Sequence, residues 1–268
     1  SYIEDNNASC VTLGLLYSEL NSSNINFEKL LNFNQCIERE NAIVQVSGGK
    51  MLFKDDLMYL TVGDFGQSSY AQDPESIFGK VLKISLINKE WETVSLGHRN
   101  PQGLEFTNLN NILIETEHGA RYGDEINIIN IDKQENFGNP ISSYSVHYGD
   151  LTGKDIYIED QPFNKSHDKF GFKEPIYVWG PDMPGGRNGV VDIIKNYYEK
   201  NESSFFVASL SAGYLYEIDI DLSEYKLNKI NAYNIGSRIR DIEYHKESNV
   251  YFLMLETPPE IALFSRDS

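Results

Sequence analysis

The chain has 268 residues, a formal net charge of -17 at pH 7, and 24% charged against 40% hydrophobic residues. Its 17 Tyr and 14 Phe suit a folded chain rich in strand formers and exclude wholesale disorder. The acidity disfavours nucleic-acid and membrane-surface roles, and no apolar run approaches the roughly 18 residues that a membrane helix needs. We expect one globular domain over residues 1–268, with an upstream segment removed or left out because Ser1 is not a Met.

The two cysteines leave two alternatives open. Cys10 lies at the start of an apolar run, and Cys36 lies just before a second one. Adjacent strands would bring them within disulfide range, whereas two buried free thiols are the other interpretation. A bridge would place the protein in a periplasmic or extracellular setting.

Short apolar or alternating runs rich in β-branched and aromatic residues predict strands, because Gly, Asn, Asp and Pro separate them. A helix is predicted only near residues 190–200. We therefore predict an all-β chain. The predicted strands are 11–17, 50–53, 57–62, 80–86, 112–115, 125–131, 176–179, 205–209, 214–220, 239–244, 250–255 and 260–264.

A weak repeat indicates a β-propeller. In three pairs of runs an inner strand ends at a loop and an outer strand leads away, as in four-stranded blades. Together with weaker runs, the predicted strands number roughly seventeen, which would give about four blades of four strands. The Asp-, Lys- and Tyr-rich segment 142–174 is either a functional loop or a surface insertion. The three pairs are 57–62 with 80–84, 111–115 with 125–129, and 204–208 with 214–218.

Two glycine-containing motifs have the composition of a site rather than of a core. Residues 97–104 read GHRNPQGL, and residues 117–126 read EHGARYGDEI. They resemble the signature of the glucose/sorbosone dehydrogenase family, soluble quinoprotein β-propellers that oxidise sugars with pyrroloquinoline quinone (PQQ). The resemblance implies a six-bladed propeller of the quinoprotein dehydrogenase type, incomplete at its N-terminus because the first blade is missing upstream.

The resemblance assigns catalytic roles to Arg99 and Asp64. Arg99 would polarise a quinone oxygen as negative charge develops, with a structural salt bridge as the alternative. Its neighbour His98 is expected to point the other way. Asp64, in the strand-end sequence GDFG at 63–66, would orient a histidine base. It is otherwise a turn residue, or itself a base if burial raises its pKa.

The resemblance also implies a PQQ and calcium loop at residues 118–120. The backbone carbonyls of Gly119 and Ala120 would bind calcium, and His118 would contact the cofactor. Where the family commonly has Pro, this chain has Ala120. Glu125 would support the loop or bind a second calcium.

Arg238 and Arg240 resemble the family's paired arginines near the cofactor carboxylates. Two arginines that flank a single residue on a strand share a face, so both can meet one polyanionic ligand. Pairing with Asp241 or a nearby Glu is the equally weighted alternative. His147, His167 and His245 lack metal-ligand spacing, and we expect ordinary roles for them.

Two departures from the family pattern weigh against activity. Val46 stands where the family has its general-base histidine, and Ser211 stands where the family has a lysine that pairs with the cofactor. Valine cannot accept a proton, and loss of a general base costs about 10² to 10⁴ in rate.

Two hypotheses of different classes follow. The chain is a PQQ-dependent aldose dehydrogenase in which Gln45, Asp64 or His118 replaces the base, or it is a degenerate propeller kept as a binding or assembly module. Its partner would be a small-molecule sugar or a protein, and a homo-dimer or completion of the propeller by another polypeptide is also expected. A propeller lactonase would need a ring of Asp, Asn and Glu at the axis, for which only scattered candidates exist.

Overall fold

The computed structural model describes residues 2–6, 9–19, 24–120, 122–145, 167–180 and 189–266. Within these ranges the chain forms five β-sheets and short 3-10 turns, with no α-helix. The prediction of an all-β chain is confirmed. Of the segment 142–174, only 142–145 and 167–174 belong to the described residues, and His147 lies outside them.

In sheet 1 the central strand β2 pairs with all three others. A disulfide joins Cys10, at the start of β2, to Cys36, which directly precedes β4. The bridge was one of the two alternatives open from the sequence, and it ties the loop between these strands to the sheet. The strands of sheet 1 are β1 (Tyr2–Asn6), β2 (Cys10–Tyr17), β3 (Glu28–Leu31) and β4 (Ile37–Glu38).

Sheets 2 to 4 are built on antiparallel four-stranded meanders, and sheet 5 has three antiparallel strands. In sheet 2 a fifth strand, β12 (Glu135–Asn136), runs parallel to β8. The strands of sheet 2 are β5 (Gly48–Lys54), β6 (Leu57–Val62), β7 (Lys80–Ser85) and β8 (Trp91–Leu96). Those of sheet 3 are β9 (Pro101–Phe106), β10 (Ile112–Glu117), β11 (Asp124–Asn130) and β13 (Tyr177–Trp179). Those of sheet 4 are β14 (Val190–Lys195), β15 (Ser204–Ser209), β16 (Tyr214–Asp221) and β17 (Lys226–Asn234), and those of sheet 5 are β18 (Ile239–His245), β19 (Val250–Glu256) and β20 (Pro259–Phe264).

The continuous apolar run of β15 shows why the sheets stack face to face. Successive side chains of a strand point to opposite faces. Phe205 and Val207 pack against sheet 3, while Phe206 and Ala208 pack against sheet 5. A strand buried on both faces has no polar face to alternate with. The middle sheets are therefore held between two neighbours each.

The five sheets follow one another in chain order. Apolar clusters fill the interfaces between sheets 1 and 2, 2 and 3, 3 and 4, and 4 and 5. The first strands of sheets 2 to 5, which are β5, β9, β14 and β18, also contact one another in that order. These inner strands lie side by side where blades would meet at an axis.

Among the described residues the sheets do not close into a ring. The outer face of sheet 5 exposes Met254, Ile261 and Leu263, which in the middle sheets would be covered by a neighbour. The six-blade count of the resemblance stays a prediction.

Three expectations from the sequence need correction. The helix at 190–200 is wrong, because Val190, Val191 and Ile193 are β-branched residues buried in strand β14. The repeated pairs of runs are the second and third strands of their sheets rather than inner and outer strands. No strand was predicted between 86 and 112, although β9 begins at Pro101 inside the first motif.

Candidate functional site

The loop at residues 97–100 lies at the centre of the candidate site, between β8 and β9. The Arg99 carbonyl accepts the backbone N–H of Asp64 at 2.9 Å, and the Asn100 carbonyl accepts that of His118 at 3.1 Å. The Asn100 side chain accepts the N–H of Gly48 at 3.1 Å. These bonds fasten the start of β5 and the loops after β6 and β10 to one short segment. The two motifs of the sequence therefore meet in space.

The Arg99 guanidinium is directed at the loop that follows β10. Its Nη1 donates to the carbonyl of Gly119 at 3.0 Å and to that of His118 at 3.3 Å. Its backbone N–H donates to Glu117 Oε2 at 2.7 Å. A guanidinium that bridges two carbonyls is fixed in direction, because its donors form a rigid planar fork.

Position 119 requires a glycine because the backbone of residues 122 and 123 approaches it closely. A Cβ at this position would overlap the Tyr122 carbonyl and would lie 2.7 Å from the Gly123 carbonyl. The Gly119 N–H donates to Asp124 Oδ1 at 3.0 Å, and the Ala120 N–H donates to Ser145 Oγ at 2.9 Å. The loop is thus held so that the Gly119 carbonyl faces Arg99.

His118 is the partly exposed imidazole of this loop, with 15% of its side chain exposed. Its Nδ1 lies 3.7 Å from Asp124 Oδ2. Asp124 is itself fixed, since Oδ2 accepts the Val190 N–H at 2.8 Å. A carboxylate held by backbone donors can orient a neighbouring imidazole.

Asp64 is buried behind Arg99. Its oxygens accept the Gly66 N–H at 2.8 Å and the Asn139 side-chain N–H at 2.9 Å. Burial raises the pKa of Asp64 to about 6, and the positive charge of Arg99 and these two hydrogen bonds limit the rise. The Asp64 carboxyl group is therefore shielded from solvent and interacts only with the protein groups around it.

The raised pKa of Asp64 predicts a pH dependence of stability. Between its ordinary value of 3.8 and about 6 the folded state binds more protons than the unfolded state. The free energy of unfolding should therefore fall by about 2 kcal/mol as the pH rises from about 4 to about 6. In urea unfolding measurements across this pH range, the free energy of unfolding should change less with pH for Asp64→Asn than for wild type. The exposed control Asp56→Asn should keep the wild-type dependence on pH. Equal slopes for wild type and Asp64→Asn would contradict this assignment.

Position 46 supplies no proton acceptor. The Val46 side chain is buried, at 6% exposure, and the Val46 carbonyl accepts the Phe65 N–H at 2.8 Å. The adjacent Gln45 is exposed, and its carbonyl accepts the Asn100 side-chain N–H at 3.3 Å. The structure thus places a buried apolar side chain at position 46.

Arg238 and Arg240 both pair with Glu256, and the Arg240 Nη2 lies 2.8 Å from its carboxylate. This is the ion pairing that the sequence left open as an alternative to ligand binding, although with Glu256 rather than Asp241. Both side chains are at least two-fifths exposed, at 40% and 46%. Their donors remain open to solvent on one side.

An ion cluster across the inner strands, in which Asp192 is the buried member, was missed by the sequence reasoning. Lys50 on β5 lies 2.6 Å from Asp192 on β14 and 3.7 Å from Asp241 on β18. Asp192 is 2% exposed, and burial raises its pKa well above the usual range. The acidic residue inside the apolar run of β14 is the only sequence signal, and its partner is 142 residues away.

A second buried polar cluster lies beneath the Arg99 loop, and the sequence reasoning missed it too. His98 Nδ1 is 3.4 Å from Glu117 Oε1 and 3.9 Å from Glu115 Oε2, and all three side chains are buried. His167, expected to be ordinary, is buried with its Nε2 3.5 Å from Glu125. Burial raises the pKa of Glu125 to about 7.

A cavity of about 20 Å³ is lined in part by Arg99, His118, Glu117 and Glu125. This volume admits a water or a single ion. A larger ligand would have to lie outside it, against the exposed side of Arg99 and His118.

Stacked antiparallel sheets with inner strands side by side, and a site built on the loops at one end of those strands, define a propeller-type fold. The match to known proteins is more specific. Residues 5–262 match the family Glucose / Sorbosone dehydrogenase, and the chain belongs to that family.

Two curated relatives are informative. The aldose sugar dehydrogenase YliI of Escherichia coli is 26% identical over 233 residues, which cover 80% of this chain and 58% of that protein. Quinoprotein glucose dehydrogenase B of Acinetobacter calcoaceticus is 23% identical over 283 residues, with 79% and 59% covered. The chain thus spans less than two thirds of the length of either relative.

Solved structures show the same fold. A glucose dehydrogenase crystal structure superposes with a TM-score of 0.78 at 21% identity, covering 100% of this chain and 77% of that one. The PQQ-bound aldose sugar dehydrogenase from Streptomyces coelicolor gives 0.62 at 20% identity, with 92% and 66% covered. No helix in the described part of the chain is long and apolar enough to cross a membrane.

Proposed function

We propose that this chain carries the cofactor-facing part of a PQQ-dependent sugar dehydrogenase, an oxidoreductase that acts on an aldose hydroxyl. The observation that carries the proposal is the contact of the Arg99 guanidinium with the Gly119 and His118 carbonyls. This contact brings the two family motifs together at one end of the inner strands. The names of the relatives, which include a quinoprotein and a PQQ-bound enzyme, support the choice of cofactor.

The residues present fit a quinone better than they fit a calcium ion. The Arg99 cation suits a quinone oxygen that gains electron density. The Gly119 carbonyl, in contrast, already accepts an N–H from this cation. A calcium ion on this carbonyl would lie close to the positive charge of Arg99, so we derive no step from it. Arg238 and Arg240 would approach a cofactor carboxylate with the donors that Glu256 leaves open.

When bound, the quinone would supply the acceptor for the hydride that leaves the sugar carbon. The chain itself must take the hydroxyl proton, and we assign this role to His118. It lies at the cavity, Asp124 faces its Nδ1, and Nε2 is therefore the atom that would accept the proton. Asp64 is too buried to meet a sugar, so we assign it to the positioning of Arg99. Gln45 is a carboxamide and cannot serve as a base.

A degenerate propeller that serves as a binding or assembly module is the second candidate. Val46 favours it, because the buried valine removes the base that the family uses. Its partner would be a protein or a second copy of the chain, or a polypeptide that completes the propeller. For either candidate the disulfide supports a periplasmic or secreted protein.

Turnover by reconstituted protein tests the proposal. Purified wild type with PQQ and calcium should reduce a dye when an aldose is added, and His118→Gln should lower the rate by about 10²- to 10⁴-fold. Val46→His should change the wild-type rate little, since His118 already acts.

The same assay separates the two candidates. An inactive wild type combined with an active Val46→His would favour the degenerate propeller. No turnover by either protein would refute the proposed dehydrogenase.

A further inference from the structure

The polar cluster beneath the Arg99 loop has the donor set of a metal site. Its members are His98 on the loop after β8, Glu115 and Glu117 on one face of β10, and Asn127 on β11 directly opposite Glu115. All four side chains are buried, and none is more than 5% exposed. We call this group the Glu115 cluster.

The distances within the Glu115 cluster are compatible with one shared ion. His98 Nδ1, an oxygen of Glu115 and an oxygen of Glu117 lie within 4.8 Å of one another. Two of the separations are 3.4 and 3.9 Å. Ligands about 2.0–2.2 Å from a transition-metal ion are themselves up to about 4 Å apart. The three atoms need little movement to bind one ion.

The Asn127 amide lies between the two carboxylates. Its Nδ2 donates to Glu115 Oε2 at 3.0 Å and to Glu117 Oε1 at 3.1 Å. Its Oδ1, like Glu115 Oε1, is buried without a hydrogen-bond partner among the described residues. Rotation of the amide by half a turn would direct the unpartnered Oδ1 at a cation bound by both carboxylates. The amide N–H group thus holds the place that a metal ion would take.

His98 is arranged like a metal-binding histidine. Its Nε2 is 2.8 Å from the buried Ser95 Oγ, and its ring stacks on Phe137 at 4.8 Å. A partner on one ring nitrogen fixes the ring and leaves the other nitrogen free to bind a metal. The other nitrogen here is Nδ1, which faces the carboxylates and lies 3.4 Å from Glu117 Oε1.

The charge of the cluster calls for a cation. In the described chain neither Glu115 nor Glu117 forms an ion pair with a Lys or Arg side chain. Two buried carboxylates without such a partner are costly.

We propose that His98 Nδ1, Glu115, Glu117 and Asn127 Oδ1 bind one divalent transition-metal cation such as Mn²⁺ or Zn²⁺. The imidazole ligand favours these ions over Ca²⁺, which prefers oxygen donors. The ion would fix Glu117, whose second oxygen accepts the Arg99 backbone N–H. Its role is structural, because it holds the Arg99 loop against β10 and β11.

Metal binding by the purified protein tests this proposal. After chelator treatment and dialysis, wild type should bind one Mn²⁺ per chain, as measured by electron paramagnetic resonance. Zn²⁺ should displace the bound Mn²⁺, whereas Ca²⁺ should not. Glu115→Gln should weaken Mn²⁺ binding by about 10- to 100-fold. Glu105→Gln alters a carboxyl group outside the cluster and serves as the matched control. Mn²⁺ should raise the melting temperature of wild type and of this control, but not that of Glu115→Gln.

Two results would overturn the metal site. Equal Mn²⁺ binding by wild type and Glu115→Gln would place the ion elsewhere. The second result combines two observations: Mn²⁺ leaves the melting temperature of wild type unchanged, and Glu115→Gln melts at a higher temperature than wild type. That combination would show a cluster of protonated carboxyl groups instead of a metal site. Should Glu115→Gln fail to fold, Asn127→Ser carries the same comparison.

Discussion

Arg99→Lys is expected to lower PQQ-dependent sugar oxidation by about 10²- to 10³-fold. The guanidinium donates to the His118 and Gly119 carbonyls, whereas a lysine ammonium is a single point of charge without the planar fork. The lysine variant therefore keeps the positive charge and loses its fixed direction. The measurement is kcat/KM for dye reduction at saturating PQQ.

Arg266→Lys is the matched control for this experiment. Arg266 is an exposed arginine paired with Glu199, far from the motifs along the chain. Its variant should keep wild-type kcat/KM, and thermal melting should show both variants folded. Activity of Arg99→Lys within a few-fold of wild type would show that Arg99 has no directional role.

Lys50→Met is expected to destabilise the protein by about 3–5 kcal/mol at pH 8. Lys50 Nζ lies 2.6 Å from Asp192, and removal of the cation leaves that buried carboxylate without its partner. Because the ion pair joins β5 to β14, its removal should weaken the contact between sheets 2 and 4. Below neutral pH the loss should shrink, because Asp192 can then bind a proton. Urea unfolding at pH 8 and pH 5 measures both effects.

Two further variants make the Lys50 experiment specific. Lys83→Met removes a more exposed ion pair with Glu92, and it should cost less than about 1 kcal/mol. The double variant Lys50→Met with Asp192→Asn should recover most of the lost stability, since no unpaired charge remains. A single Lys50→Met that costs no more than Lys83→Met would contradict the structural role given to Lys50.

Local pattern was enough to find most of the fold. The runs at β6, β10 and β15 are short and rich in apolar, β-branched or aromatic residues, so each could be predicted as a strand without knowledge of its partners. Strand β14 was missed because an Asp interrupts its apolar run, and that Asp is satisfied by Lys50 from a distant sheet. Strand β9 was missed because it starts with Pro-Gln-Gly, which is a loop pattern when taken alone.

The site could be predicted in part for a similar reason. Arg99 and the 118–120 loop were found because each lies in a continuous motif, and the structure adds the hydrogen bonds between them. The Glu115 cluster could not be found this way. Glu115 and Glu117 lie on β10, but their partners Asn127 and His98 come from β11 and from the loop after β8. Only strand register brings such residues together.

Titration of the purified protein with PQQ in the presence of calcium tests the central claim most directly, because it needs no substrate. If Arg99, His118 and Gly119 form a cofactor site, calorimetry should show saturable binding of one PQQ per chain. Arg99→Leu should weaken that binding by about 10- to 100-fold through loss of a charged hydrogen bond. Absence of saturable binding by wild type, or equal affinity of wild type and Arg99→Leu, would contradict the account.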